Sequence, residues 1–231
     1  MRLRAARNLS PPERAISLPK TEDLELLACT PATLKAKGFN SKADLPYGLT
    51  VAHVRDAMQD FLDFLGFVNL QLHGRGTQRL ESMLMQANFS SMVGEYMKAS
   101  IPKYCRTLAA NRYHNGHPDL VPTGMFKDDM VQHAEEGIEV KGSRYLTGWQ
   151  GHNEEDTFLM VFCFDSGRPV DAGQGILPKP FRFLQVAAGR LKKADWKFAG
   201  RSATSRRTIT ATVTKEACQR MIANAIYRDD D

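Results

Sequence analysis

His117-Pro118-Asp119-Leu120-Val121-Pro122, followed further along by Gly137-Ile138-Glu139-Val140-Lys141, is the stretch that decides how this chain reads. Residues two apart on a β-strand face the same side, so a strand through 138–141 brings Glu139 and Lys141 together while Ile138 and Val140 turn into the core. With Pro118-Asp119 on the neighbouring strand, Asp119 and Glu139 share one hard cation through their oxygens. That puts a cation, two carboxylates and an ammonium at one spot. Phosphodiester hydrolysis needs these groups: Mg²⁺ polarises the phosphate and lowers the pKa of a bound water, and a lysine orients that water and offsets developing charge. Charge inside an apolar strand is costly, which itself argues that Glu139 and Lys141 have a purpose.

Outward from this centre, the flanks are rich in side chains that read nucleic acid. Arg112-Tyr113-His114-Asn115-Gly116-His117 precedes the first piece; Ser143-Arg144-Tyr145 and Gly148-Trp149-Gln150-Gly151-His152-Asn153 follow the second. Arg, Asn and Gln make bidentate contacts to base edges, and glycine lets backbone approach phosphate closely. Arg112, His114, Asn115, Ser143, Arg144, Trp149, Gln150, His152 and Asn153 are therefore the expected DNA contacts, although Trp149 packed on the sheet and His152 capping a loop would read the same way. A further cluster, Arg201-Ser202-Ala203-Thr204-Ser205-Arg206-Arg207, suits phosphate clamping through Arg201, Arg206 and Arg207. His114-Asn115-Gly116-His117 lacks the paired ligands of a closed zinc site.

Pro118-Asp119 followed by Glu139-Val140-Lys141 resembles the PD-(D/E)XK nuclease superfamily, which includes many type II restriction endonucleases. The resemblance covers about residues 90–185. It implies a restriction-endonuclease-like α/β fold, a central mixed β-sheet flanked by helices. It also implies Asp119 and Glu139 as metal ligands, Lys141 as the catalytic lysine and Mg²⁺ as the cofactor. Several such enzymes draw a glutamate from the helix before the first core strand, and Glu95 is the candidate here. The activity implied is hydrolysis of double-stranded DNA, as a sequence-specific restriction endonuclease acting as a homodimer on palindromic sites. A structure-specific repair, recombination or mobile-element nuclease is the alternative, and an inactive DNA-binding subunit a further one.

The rest of the chain is consistent with this. At 231 residues, 42% hydrophobic and 25% charged, it has enough apolar surface for a core. The expected organisation is a loosely docked arm over 1–22 and one domain over 23–231, helical to about 105 and α/β beyond it. Val54, Met58, Phe61, Leu62 and Leu65 recur at helical spacing, with Thr50 to cap the helix and Gly66 to end it. Further helices are expected over about 77–85 and 90–100, before Pro102 interrupts. Strands are expected over 138–141, 158–164, 181–186 and 208–213, with a closing helix over 214–226. Cys29, Cys105, Cys163 and Cys218 are scattered, which argues against a disulfide framework. No apolar run reaches membrane-spanning length and the basic start leads into Asn8-Leu9-Ser10-Pro11-Pro12, so a cytoplasmic protein without a membrane partner is expected. A net charge of +5 favours a polyanionic partner.

Overall fold

Helical periodicity dominates the first half of this chain and apolar strand-like runs the second, and the computed structural model, which describes residues 21–151, 153–198 and 210–229, follows that order. Four helices come first: α1 (Thr21–Ala28), α2 (Val51–His73), α3 (Leu80–Met83) and α4 (Gln86–Tyr104). The strands are β1 (Leu108–Ala110), β2 (Leu120–Pro122), β3 (Ile138–Ser143), β4 (Gln150–Gly151), β5 (Thr157–Asp165), β6 (Arg182–Leu191), β7 (Trp196–Phe198) and β8 (Ala211–Val213). Helix α5 (Lys215–Ala223) and strand β9 (Tyr227–Arg228) close the described chain.

The main sheet has the order β1-β2-β3-β5-β6-β9, and a smaller one the order β4-β8-β7. Strands β3 and β5 run parallel, whereas the other neighbours in both sheets are antiparallel. The fold is thus mixed α/β, with helices and a mixed multi-strand sheet.

Strand β5 explains the layering. It is buried from Thr157 to Phe164, as a central strand covered on both faces must be. Phe158, Met160, Phe162 and Phe164 alternate onto one face and join Phe61 of α2 and Phe89, Val93 and Met97 of α4. Leu159, Val161 and Cys163 alternate onto the other and join Trp149, Trp196, Val213 and the α5 residues Ala217, Cys218 and Met221. Each large apolar side chain buried this way contributes about 1.5–3 kcal/mol. All four cysteines are free and buried, and burial pushes the Cys163 thiol up to about 12.

Two glycines let α4 lie close against β3. A Cβ on Gly142 would collide with the Ser90 carbonyl and with Val93 Cβ, so only glycine fits there. Gly94 faces it from the helix, and a Cβ there would meet Gly142 N at an ordinary 3.4 Å. Asp60 of α2 ties the two long helices together, accepting hydrogen bonds from Ser100 Oγ (2.7 Å), Lys103 Nζ (3.0 Å) and Tyr104 Oη (2.8 Å).

Several boundaries differ from expectation for physical reasons. Thr50 caps α2 in a capping box with His53, but the helix runs through Gly66 to His73. Gly66 is a packing position, since a Cβ there would press on Pro31 Cδ at 3.1 Å. Beyond it Asn69 is buried, donating to Glu81 Oε2 and accepting from Leu80 N, which holds the last turns in place. The 77–85 helix shrinks to Leu80–Met83. Pro102 lies within α4 rather than ending it, one turn from the C-terminus, where a single lost donor costs little. The closing helix stops at Ala223, and Ile226 N instead donates to Val186 O as the chain joins the sheet edge. Of the expected arm, 1–20 lies outside the described residues. Thr21 and Glu22 begin α1, which Glu25 docks onto buried Arg79 at 2.8 Å. The strand expected over 208–213 is described from Ala211 onward. No described helix is long and apolar enough to cross a membrane.

Candidate active site

Antiparallel pairing of β2 and β3 sets Leu120 against Ile138, both fully buried. Their neighbours, Asp119 and Glu139, therefore emerge side by side on the opposite face of the sheet. Lys141 follows on the same face as Glu139, and β3 shows the alternation expected of it, Ile138 and Val140 buried and Glu139 and Lys141 half-buried. These side chains line a cleft of about 880 Å³. Its far wall is the loop from Asn111 to His117, and α4 closes the near side with Glu95 and Lys98.

The charges in this cleft form one connected set. Asp119 Oδ2 accepts the Val140 backbone N–H at 2.9 Å, and its Oδ1 lies 3.4 Å from Lys98 Nζ. Glu139 Oε1 accepts from Lys141 Nζ at 2.9 Å, while Oε2 sits 3.0 Å from His117 Nδ1. His117 Nε2, buried and without a hydrogen bond, faces Glu155 Oε2 at 3.4 Å. The His117–Pro118 peptide bond is cis.

Burial, and then the charge of Glu139, push the Asp119 carboxyl above the usual carboxylate range, against the pull of the Val140 N–H, Lys98 and Lys141. Burial opposes the Glu139 charge as well, but hydrogen bonds and charges from His117 and Lys141 outweigh it and hold this carboxyl low. Burial likewise opposes a charged Lys141, and Glu139 more than restores it. For His117 burial favours the neutral ring, and the carboxylates of Glu139, Glu155 and Asp119 raise its pKa instead. Asp119 is thus the under-compensated member of the pair, since Glu139 is met by His117 and Lys141 while its charge disfavours ionisation of Asp119.

Among the described residues no group of three or more His, Cys, Asp or Glu is arranged to hold a metal ion. Mg²⁺ asks for less, since it keeps several waters and takes one or two carboxylates together with substrate phosphates. Asp119 and Glu139 offer carboxylate oxygens of this kind, each met by a neighbour: the Val140 N–H and Lys98 for Asp119, Lys141 and His117 for Glu139. Glu95, the expected third carboxylate, sits on the cleft rim with its side chain 71% exposed, 3.9 Å from Lys98. Lys98, one helical turn further on, is the α4 residue that reaches Asp119.

The flanking candidates divide. Arg112, His114 and Asn115 are exposed on the cleft's far wall, and Asn153 lines the cleft beside Glu155. Gln150 and Ser143 line a second depression beyond Lys141. Two of the expected contacts are engaged within the protein. Trp149 is 3% exposed within the second core cluster and donates its indole N–H to Tyr145 O, so it supports the sheet instead of presenting a face to DNA. Arg144 spends its guanidinium on Ser166 O, Ser166 Oγ and Gly167 O, which clamps the end of β5. His152, Arg201, Arg206 and Arg207 lie outside the described residues.

Lys98, Glu155, Asn111 and the bridging role of His117 were not anticipated. Lys98 was recoverable from its i,i+3 spacing to Glu95. Glu155 had only its place in the acidic run before β5 as a signal. Asn111, 5% exposed, uses its whole amide: Nδ2 donates to Pro118 O and Val131 O, and Oδ1 accepts from Tyr113 N and Val131 N. It shapes the far wall of the cleft, a tertiary role with no sequence signature. Comparison with protein-family models, with curated proteins and with solved structures gave no match.

Proposed function

We propose that this chain is a Mg²⁺-dependent DNA endonuclease of the PD-(D/E)XK kind, with a restriction-endonuclease-like core. The observation that carries the reading is the convergence of Asp119, Glu139 and Lys141 from adjacent strands onto one face of a cleft, with the two carboxylates side by side and the ammonium on Glu139. When bound, Mg²⁺ supplies Lewis-acid polarisation of the phosphate and a nucleophilic water at neutral pH. Asp119 and Glu139 would hold it through their oxygens. Lys141, kept charged by Glu139, offsets negative charge on the phosphate as it develops and orients the attacking water. Lys98 faces the same phosphate from α4 and partly offsets the charge of Asp119. Arg112, His114 and Asn115 lie where the strand on the far side would pass, suited to phosphate and base contact. Hydrolysis of DNA phosphodiester bonds is the activity proposed, and selection by sequence or by DNA structure is read from the products of the test below.

The test uses purified protein and unmethylated, high-complexity phage DNA, with Mg²⁺ or with EDTA, alongside Lys141→Ala. The expected result is Mg²⁺-dependent cleavage that the substitution reduces at least about 1,000-fold. Discrete bands mean sequence specificity, a smear or nicks mean selection by DNA structure. A fully active Lys141→Ala overturns the assignment.

A further inference from the structure

Past Lys141 the cleft continues into a second depression of about 660 Å³. Gln86 and Ser90 of α4 form one side, and Ser143, Tyr145 and Gln150 the other, with Lys141 shared between the two depressions. Its lining mixes polar residues such as Thr147 with small and apolar ones such as Ala87, Gly148 and Val161. Arg144, the other cation on its wall, has its guanidinium turned to Ser166 and Gly167.

Tyr145 is unusual in this setting. Its backbone is pinned from several directions: the carbonyl accepts from Trp149 Nε1 (2.9 Å), Ser143 Oγ (3.0 Å) and Cys163 Sγ (3.3 Å), and its N–H donates to Ser143 Oγ (3.0 Å). Trp149 and Cys163 belong to the second core cluster, so the core itself fixes the position of this residue. Yet Tyr145 is 73% exposed. These bonds fix the backbone of Tyr145 and leave its ring turned to solvent. A ring on a fixed backbone with only two side-chain torsions gives up little entropy when it binds a planar partner. Base stacking on an aromatic side chain is sequence-tolerant, because every base has a π-face.

We propose that Tyr145 is a stacking platform for one unpaired base beside the phosphate engaged at Lys141. This inference rests on the nuclease reading and narrows its substrate class: DNA with an unstacked nucleotide at the cut site, such as a single-stranded overhang, flap or mismatch, is preferred over uninterrupted duplex. A base still paired within a duplex keeps its π-faces against its neighbours and has none to offer the ring.

The test is fluorescence of 2-aminopurine placed at the first unpaired position of an overhang substrate. It is titrated in EDTA with the full chain and with Tyr145→Phe and Tyr145→Ala, and an unbroken duplex is measured in parallel. Wild type and Tyr145→Phe are expected to change the probe's emission as it stacks, and to bind the overhang more tightly than the duplex. Tyr145→Ala loses that emission change and weakens overhang binding on the order of 10-fold, with duplex binding unaltered. Circular dichroism of the alanine variant should match wild type, since the ring is exposed. An alanine variant that binds and changes the probe like wild type, or a wild type that binds duplex and overhang equally, overturns the stacking proposal while leaving the nuclease reading in place. A wild type that neither binds DNA in EDTA nor cuts it with Mg²⁺ overturns the nuclease reading itself.

Discussion

Asp119, a metal ligand under the proposed function, works against the fold that carries it. Its carboxylate is half-buried beside Glu139, so the charged form is disfavoured, and the compensation from the Val140 N–H, Lys98 and Lys141 is incomplete. Asparagine keeps an oxygen for the Val140 N–H and removes the charge. Asp119→Asn is therefore expected to abolish cleavage and to leave the thermal midpoint in metal-free buffer equal to or above that of the parent. A midpoint lowered by several degrees would mean that the Asp119 charge serves stability, and would count against a metal-ligand role. Glu139 behaves in the opposite way, because His117 and Lys141 satisfy its two oxygens directly. Alternation placed Glu139 and Lys141 on one face from the sequence alone. That His117 bridges Glu139 to Glu155 depends on a loop trajectory that alternation does not describe.

At the scale of elements, the site depends on how closely α4 approaches β3. Gly142→Ala would drive a methyl group into the Ser90 carbonyl and Val93, and is expected to cost about 2 kcal/mol in urea denaturation as the helix is pushed off the strand. Gly94→Ala meets only ordinary contacts and removes a helix-weakening glycine, so it should be neutral or stabilising by up to about 1 kcal/mol. Equal costs at the two positions would refute this account of the packing. The second element-level link is Asp60 between α2 and α4. Burial opposes its charge, but hydrogen bonds from Ser100, Lys103 and Tyr104 lower its pKa. That contribution is complete above the unfolded carboxylate value near about 3.9 and fades as pH falls through the lowered folded value. Tyr104, pushed up to about 12 by the hydrogen bond to Asp60, contributes below its unfolded value near about 10 and loses that contribution as pH rises through the folded one. Asp60→Asn is expected to cost about 2 kcal/mol at neutral pH, with the gap to the parent narrowing below about pH 4. A pH-independent gap would show that the charge is not what matters.

For the whole molecule, the proposed DNA binding, with a net charge of +5 and Lys98, Arg112 and Lys141 set among the carboxylates of the cleft, predicts release of counterions. The logarithm of the duplex binding constant should fall linearly with the logarithm of salt concentration, by about 0.9 per phosphate neutralised. Arg112→Ala is expected to make that slope shallower by about one, and an unchanged slope would remove the far wall from the interface.

By itself the sequence determined the α/β class of the fold, the order of its longer helices and strands but not α1, β1, β4, β7 or β9, the capped start of α2, the buried strand over 158–164 and the pairing of Glu139 with Lys141. These follow from local rules: periodicity, capping chemistry and alternation act over a few residues and leave their mark in the residue order. Only the tertiary structure decided that α2 continues past Gly66, because Pro31 packs there and Asn69 is anchored by Glu81 and Leu80. It also decided that Trp149 and Arg144 serve the scaffold, that Lys98 reaches Asp119 where Glu95 stays on the rim, and that Glu155 joins the cleft through His117. Each of these depends on contacts between residues far apart in the chain, and their side-chain types alone do not reveal which partner will satisfy them.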